Sequence, residues 1–224
     1  AEHLQRALAE GDGGSPLRHV VLIGDGDVPH DVKYEDLLAA GSTDVPEEPE
    51  EEDPVVLMYT GGTTGLPKGV LLDQRAEMLN LYHVAAVQSF DPSQVYLHQT
   101  PLFHAASMAG VLGITSSGAV NVTIPLFDPA GVMDLIEAHG VTQTVMVPTM
   151  IAMVLNHPEF RPERLASLRL LTYGASPMPA ATLDRLIELY PDLEISQGYG
   201  MTECSSVLTF LGPEEHREGG ERLR

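Results

Sequence analysis

The sequence predicts an α/β fold in which a mainly parallel sheet is flanked by helices. From residue 55 onward, short apolar runs of strand type alternate with segments of helical periodicity. Such alternation is typical of parallel sheets that are covered on both faces. The chain has 224 residues, of which 43% are hydrophobic and 20% charged, so its composition favours a globular domain with a substantial core.

An acidic segment divides the chain. Residues 46–54 read PEEPEEEDP, and both the repulsion among the acids and the prolines oppose a packed element. We predict an exposed linker there. Upstream, the apolar run at residues 19–24 predicts a buried strand, so we interpret residues 1–45 as the tail of an earlier α/β subdomain. Residues 55–224 form the second predicted unit, an ATP-phosphate-binding subdomain.

The elements of the second unit follow in order. Residues 55–59 predict a buried strand that leads into a glycine-rich loop, and residues 74–88 predict a helix. The segment 128–139 carries helix boundary signals, with Asp128 as N-cap and Gly140 just past the end. The remaining predictions are strands at 119–124, 143–147, 168–173 and 194–196, and a helix that starts near Pro179 and stops before Pro191.

The glycine-rich loop has the residue types that phosphate binding requires. Residues 59–69 read YTGGTTGLPKG. Glycines let the backbone turn its N–H groups toward an anion, threonines add hydroxyl donors, and Lys68 adds a positive charge. The loop follows a predicted strand and precedes a predicted helix. The candidate phosphate-binding residues are Thr60, Gly61, Gly62, Thr63, Thr64, Gly65 and Lys68.

Two readings of this loop are weaker. A Walker A loop requires Gly-Lys-Ser/Thr, whereas here Pro67 precedes the lysine and Gly69 follows it. Kinase and GTPase functions therefore lose support. The other reading is a flexible surface turn, in which the combination of glycine, threonine and lysine would be accidental.

Three further motifs carry polar side chains. Residues 197–204 read QGYGMTEC and offer a ring, a hydroxyl and a carboxylate after a predicted strand, although a strand-end turn would also fit. Residues 173–177 read YGASP, where Ser176 could be only the N-cap of the next helix. Residues 101–107 read PLFHAAS, where His104 could be only structural. The glycine-rich loop and the first two of these motifs each follow a strand, so we expect them to share one cleft.

The loop at residues 59–69 resembles the signature phosphate loop of the adenylate-forming superfamily, which comprises acyl-CoA synthetases, peptide-synthetase adenylation domains and luciferases. Gly61 stands where that signature commonly has serine, so one hydroxyl contact is lost. The resemblance extends in order over roughly residues 55–212. It implies that the chain is part of the large N-terminal domain of such an enzyme.

The resemblance also implies roles for the other motifs. Tyr199 would stack on adenine, Thr202 would contact the α-phosphate, and Glu203 would hold Mg²⁺. His104 would border the carboxylate-binding pocket. The adenine-side loop would consist of Gly174, Ala175 and Ser176.

The implied function is ATP-dependent activation of a carboxylic acid to an acyl-adenylate, followed by thioester formation with CoA. A rival within the superfamily is an amino-acid-activating domain, which usually places an Asp in its substrate pocket. The corresponding residues 108–117 are apolar or small and contain no acid, so a fatty or other apolar acid is favoured. A second rival is a non-catalytic nucleotide-binding module of the same fold, which the presence of Lys68, Thr202 and Glu203 opposes.

Composition bears on partners and location. A formal charge of −20 with only two lysines, Lys33 and Lys68, speaks against a nucleic-acid partner. No apolar run is long enough to cross a bilayer, and no secretory signal is recognisable. With a single cysteine, Cys204, this pattern predicts a reducing cytoplasm. The oligomeric state stays open.

The resemblance predicts that this chain is a piece of a longer protein. The family's ribose-binding Asp, its hinge and its small C-terminal domain with a catalytic lysine have no match at residues 205–224. Since that lysine stabilises charge near the α-phosphate, we expect the chain alone to have little adenylation activity.

Overall fold

The computed structural model describes residues 19–61 and 65–219 and divides into two compact units, Ala1–Glu48 and Pro49–Arg224. In the first unit, strands β1 (Val21–Leu22) and β2 (Val32–Lys33) pair in parallel and precede helix α1 (Tyr34–Ala40). The prediction of a buried strand at residues 19–24 is wrong in its burial. Val21 is 41% exposed, because α1 buries none of its own residues and so provides no apolar cover.

The glycine-rich loop lies in a β-hairpin. Strands β3 (Pro54–Thr60) and β4 (Lys68–Asp73) pair antiparallel, with Thr60 opposite Lys68. The predicted order of strand, loop and helix is therefore wrong, since β4 intervenes before helix α2 (Gln74–Val87). The predicted buried strand at 55–59 is buried on one face only, because successive side chains alternate between the two faces.

The main sheet has six strands in the order β10-β9-β8-β7-β5-β6. Every neighbouring pair is parallel except β9 with β10. The predicted mainly parallel sheet is thus confirmed, although the sequence analysis missed β5 and β10. The strand bounds are Val95–His98 for β5, Val120–Thr123 for β6, Gln143–Met146 for β7, Leu170–Gly174 for β8, Glu194–Tyr199 for β9 and Thr209–Leu211 for β10.

Five further helices complete the second unit as described. The predicted helix at 128–139 is confirmed at both ends, because Asp128 accepts a hydrogen bond from the Gly131 amide at 2.8 Å and Gly140 adopts φ 60°. In the part of the chain that the structure describes, no helix is long and apolar enough to cross a membrane. The bounds are Ala105–Ser116 for α3, Pro129–His139 for α4, Pro148–Leu155 for α5, Ala180–Leu189 for α6 and Pro213–Glu218 for α7.

Helices cover both faces of the main sheet. On one face, Leu171 and Ile195 pack with buried residues of α4, α5 and α6 in the hydrophobic core. On the other face, Gln88 at the end of α2 donates from Nε2 to the hydroxyls of Thr172 and Ser196, at 2.8 and 3.1 Å. Because these strands are parallel, their carboxyl ends lie at a common edge, where such a sheet places its ligands.

Candidate functional site

A cavity of about 490 Å³ opens at the carboxyl edge of the main sheet. Its mouth is lined by residues that follow β5, β7, β8 and β9, and its interior descends between the sheet and helix α3. Two of the three motifs that were expected to share one cleft, at residues 173–177 and 197–204, line this cavity together with the His104 segment. The described residues of the glycine-rich loop, the third motif, do not line it. The predicted site residues that line this cavity are His104, Gly174, Ala175, Tyr199 and Thr202.

The end of β8 requires small residues. A Cβ atom at Gly174 would lie 2.5 Å from the carbonyl oxygen of Gly198 on β9, so no side chain fits between the two strands. Ala175 adopts φ 65°, a left-handed conformation that is uncommon outside glycine. Ser176 is exposed and does not line the cavity. The alternative that Ser176 caps the next helix is wrong, since the N-cap of α6 is Pro179.

The loop between β9 and β10, residues 200–208, carries the next motif. Tyr199 ends β9 with 65% of its surface exposed at the cavity mouth. A 3-10 turn at Thr202–Cys204 follows, and Leu208 donates its backbone N–H to the Tyr199 carbonyl at 2.8 Å, which closes the loop. Thr202, the first residue of this turn, lines the cavity.

Glu203 belongs to a different surface. It is exposed and lines a neighbouring cleft of about 590 Å³ between α2 and the β9–β10 loop, whereas Thr202 lines the main cavity. Within residues 19–61 and 65–219, no group of three or more His, Cys, Asp or Glu side chains could hold a metal ion. A Mg²⁺ ion on Glu203 would therefore take its other ligands from phosphate and water, as this ion commonly does.

The glycine-rich loop is described in part. Gly62, Thr63 and Thr64 lie outside the described residues. Thr60, Gly61, Gly65 and Lys68 are described, and Gly65 adopts φ 138°. Strand β4, which begins at Lys68, contacts the 3-10 turn that carries Thr202. The fold thus brings the lysine-bearing hairpin beside the β9–β10 loop.

His104 also lines the main cavity. It is the N-cap residue of α3, it is exposed, and its ring centroid lies 4.8 Å from that of Phe103. Just beyond it, the buried Ser107 hydroxyl donates to the Pro101 carbonyl at 2.9 Å. This bond fixes the turn that presents His104 to the cavity.

The interior of the cavity contains residues that the sequence analysis missed. Tyr96 and Phe90 approach α3 at two glycines, where a Cβ atom would lie 2.6 Å from the Tyr96 hydroxyl at Gly110 and 2.4 Å from the Phe90 ring at Gly113. Burial raises the pKa of the Tyr96 hydroxyl above its ordinary value. The two glycines, three positions apart, are evident in the sequence. That two aromatic side chains pack against them could not be predicted from it.

Comparison with known proteins gives a consistent result. Residues 2–221 match the family model described as AMP-binding enzyme. The chain is 34% identical over 183 residues to 4-coumarate--CoA ligase 3 of Oryza sativa, covering 79% of this chain and 33% of that protein. It is 32% identical to indoleacetate--CoA ligase of Aromatoleum aromaticum, covering 86% of this chain and 38% of that protein.

Solved structures agree with these sequence relatives. O-succinylbenzoate coenzyme A synthetase (MenE) from Bacillus subtilis, solved with ATP and magnesium ion, matches with a TM-score of 0.76 at 26% identity, over 98% of this chain and 46% of that one. The N-terminal domain of FACL13 from Mycobacterium tuberculosis matches with a TM-score of 0.72 at 26% identity, over 82% and 47%. The chain spans about one third of the length of the curated relatives it matches. By its sequence and its fold, the chain belongs to the AMP-binding enzyme family.

Proposed function

We propose that the protein containing this chain activates a carboxylic acid with ATP and transfers the acyl group to CoA. The carboxylate oxygen attacks the α-phosphorus, the bond to the β-phosphate oxygen breaks, and pyrophosphate leaves with its electron pair. The thiolate of CoA then displaces AMP from the acyl-adenylate. The observation that carries the proposal is the single cavity lined by His104, Ala175, Tyr199 and Thr202. The CoA-ligase names of the relatives and the ATP and magnesium ion in the MenE structure support it.

On the nucleotide side, each residue has a physical task. The ring of Tyr199 is exposed at the mouth and offers a stacking face for adenine. Gly174 and Ala175 let the base approach the backbone, because the first lacks a side chain and the second has only a methyl group. The Thr202 hydroxyl can donate to the α-phosphate, and Lys68 with the glycine-rich loop can hold the outer phosphates. Mg²⁺ shared by Glu203 and phosphate oxygens would neutralise charge on the leaving group.

On the acid side, the cavity favours an uncharged, apolar acyl group. Its α3 wall consists of small residues, including Ala105, Ala109 and Gly110. None of the described residues that line the cavity is acidic, so an α-amino group would lose its hydration without gaining a counter-ion. This disfavours the amino-acid-activating alternative and supports a fatty or other apolar carboxylic acid as substrate.

Pyrophosphate exchange into ATP by the complete reading frame tests the proposal, with a panel of fatty, aromatic and amino acids. Exchange with apolar acids is the expected result, and Lys68→Ala provides the inactivated control. Exchange only with amino acids would move the protein to the peptide-synthetase branch. Retained ATP binding without exchange for any acid would favour the non-catalytic module and refute the proposal.

A further inference from the structure

The β9–β10 loop has a backbone conformation that its own residues do not favour. Ser205 and Ser206 adopt φ 54° and 86°, in the left-handed region that suits glycine. At Gly200, a Cβ atom would lie 1.7 Å from the Ser206 carbonyl oxygen, so the loop folds tightly back on itself. Two consecutive serines in this region persist only where the surroundings hold them.

Asn80 of α2 supplies part of that support. Its Nδ2 atom donates to the Val207 carbonyl at 2.7 Å and to the Cys204 carbonyl at 3.4 Å, while its Oδ1 atom accepts from the Ser206 hydroxyl at 3.4 Å. The side chain is 9% exposed. One amide thus bridges both sides of the strained segment, and it borders the cleft that Glu203 also lines.

Glu77 lies one turn earlier on the same helix and faces the same segment. It is 5% exposed, its carboxyl group interacts with the Ser205 hydroxyl, and its Oε1 atom has no partner among the described residues. Neither Glu77 nor Asn80 lines the main cavity. Burying a carboxyl group with one unpaired oxygen atom costs free energy, so Glu77 does not stabilise the fold by its burial alone.

Helix α2 also links the two phosphate-side segments. It follows β4 directly, and Asp73 at this junction accepts a hydrogen bond from the Ala76 amide at 2.7 Å. Strand β4 begins at Lys68 and contacts the Thr202–Cys204 turn. Helix α2 is therefore joined to the lysine hairpin at its N-terminal end, and along its side it is hydrogen-bonded to the β9–β10 loop.

We propose that Asn80 and Glu77 are positioning residues for the nucleotide. They hold the β9–β10 loop in the conformation that presents Thr202 to the main cavity and Glu203 beside it, and they fix this loop relative to the Lys68 hairpin. The inference rests on the proposed function, because it takes the nucleotide to bind at Thr202.

The first test is Asn80→Asp in the complete reading frame. The substitution keeps the shape but replaces the amide donor by an acceptor, so that two backbone carbonyls lose their partner. We expect KM and Kd for Mg-ATP to rise about tenfold while KM for the acid changes less than about twofold. Asn156→Asp is the matched control and should change neither constant. The side chain of Asn156 accepts a hydrogen bond from Arg185, and it belongs neither to α2 nor to the β9–β10 loop.

Two variants of Glu77 keep the test decisive if Asn80→Asp folds poorly. Glu77→Gln retains a polar partner for Ser205 and should leave Kd for Mg-ATP within about twofold, whereas Glu77→Leu should weaken it several-fold. Equal rises in KM for ATP and for the acid, or a lower Tm with unchanged Kd, would reduce both residues to a structural role and overturn the inference. Calorimetric measurement of Mg-ATP binding distinguishes this outcome from failure of the proposed function. The proposed function fails if the unsubstituted protein binds ATP but exchanges no pyrophosphate with any acid.

Discussion

Two carboxyl groups at the β9–β10 loop, Glu203 within the loop and Glu77 on α2, have opposite environments. Glu203 is exposed on the cleft between this loop and α2. Glu77 is buried beneath the same loop, and burial raises its pKa above the ordinary value of 4.5, an effect that the Ser205 hydroxyl partly opposes. The exposed Glu203 is the group proposed to hold a cation, whereas the buried Glu77 holds its proton more tightly than an exposed glutamate does.

Glu203→Gln should weaken Mg-ATP binding because it removes the proposed anionic metal ligand. A loss of about 1.4 kcal/mol would raise Kd tenfold, and the Mg²⁺ concentration needed for half-maximal exchange should rise with it. Titration of the variant with MgCl₂ at fixed ATP measures this. Glu188→Gln on the exposed face of α6 makes the same charge change away from both cavities, and equal effects in the two variants would contradict a specific role.

Glu77→Gln should change how stability depends on pH. Because the folded-state pKa of Glu77 is raised above 4.5, the unfolded chain releases this proton first as pH rises. Stability is therefore fully present below about pH 4.5 and is lost as pH rises through the folded-state pKa. The variant lacks this loss, so its Tm should exceed that of the unsubstituted chain by a margin that grows as pH rises above about 4.5. A margin that is constant with pH would contradict the assignment.

At the scale of elements, the close approach of β8 and β9 forms the side of the cavity that is proposed to hold adenine. Gly174 pairs with Gly198 across the two strands, and the missing side chains allow a carbonyl to pass where a Cβ atom would clash. The same device recurs at α3, where Gly110 lets the buried Tyr96 reach the helix. Glycine therefore shapes two walls of this cavity through contacts between elements.

Gly174→Ala should separate β8 from β9 at the cavity mouth. The new methyl group would meet the Gly198 backbone oxygen at 2.5 Å, and backbone cannot move aside as a flexible side chain does. We expect a loss of about 1–3 kcal/mol in unfolding free energy together with weaker nucleotide binding, measured by denaturant titration and calorimetry. Gly26→Ala, which meets its nearest atom at an ordinary 3.5 Å, is the control. A fully stable Gly174→Ala variant would mean that the strands adjust freely.

At the scale of the whole molecule, the negative net charge of the chain disfavours the anionic ligand that its site is proposed to bind. The chain carries a formal charge of −20 and has only two lysines in its sequence. It is nevertheless proposed to bind a nucleoside triphosphate. The described lining of the main cavity contains no carboxylate. The acidic surface should therefore repel the proposed nucleotide at long range, whereas neutral donors and Lys68 would attract it at short range.

Salt should accelerate the association of Mg-ATP. Ions screen the long-range repulsion between like charges over about 10 Å at 0.1 M salt, while contacts inside the cavity are screened less. The chain has no tryptophan whose fluorescence could report binding. Stopped-flow mixing with a fluorescent ATP analogue can instead measure the association rate as KCl increases. A fluorescent adenosine, which has no phosphate charge, should show little change. A rate that falls with salt would instead show that the positive charge of Lys68 dominates the field at the site.

The sequence by itself determined the features that depend on neighbouring residues. The cap at Asp128 and the glycine at Gly140 set the ends of α4, because hydrogen bonds and backbone preferences act within one turn. The loop at residues 59–69 carried its chemistry in its composition, and the alternation of elements predicted the parallel sheet. These features specified the family, the fold class and the residues proposed for the nucleotide.

Only the tertiary structure decided what depends on distant pairing. Residues 68–73 become strand β4 because β3 pairs with them, and Glu203 faces a separate cleft because the β9–β10 loop folds back on itself. Asn80 meets Val207 across 127 positions of the chain. No local pattern encodes such contacts, since their free energy arises from burial and hydrogen bonding between segments that meet only in the folded protein.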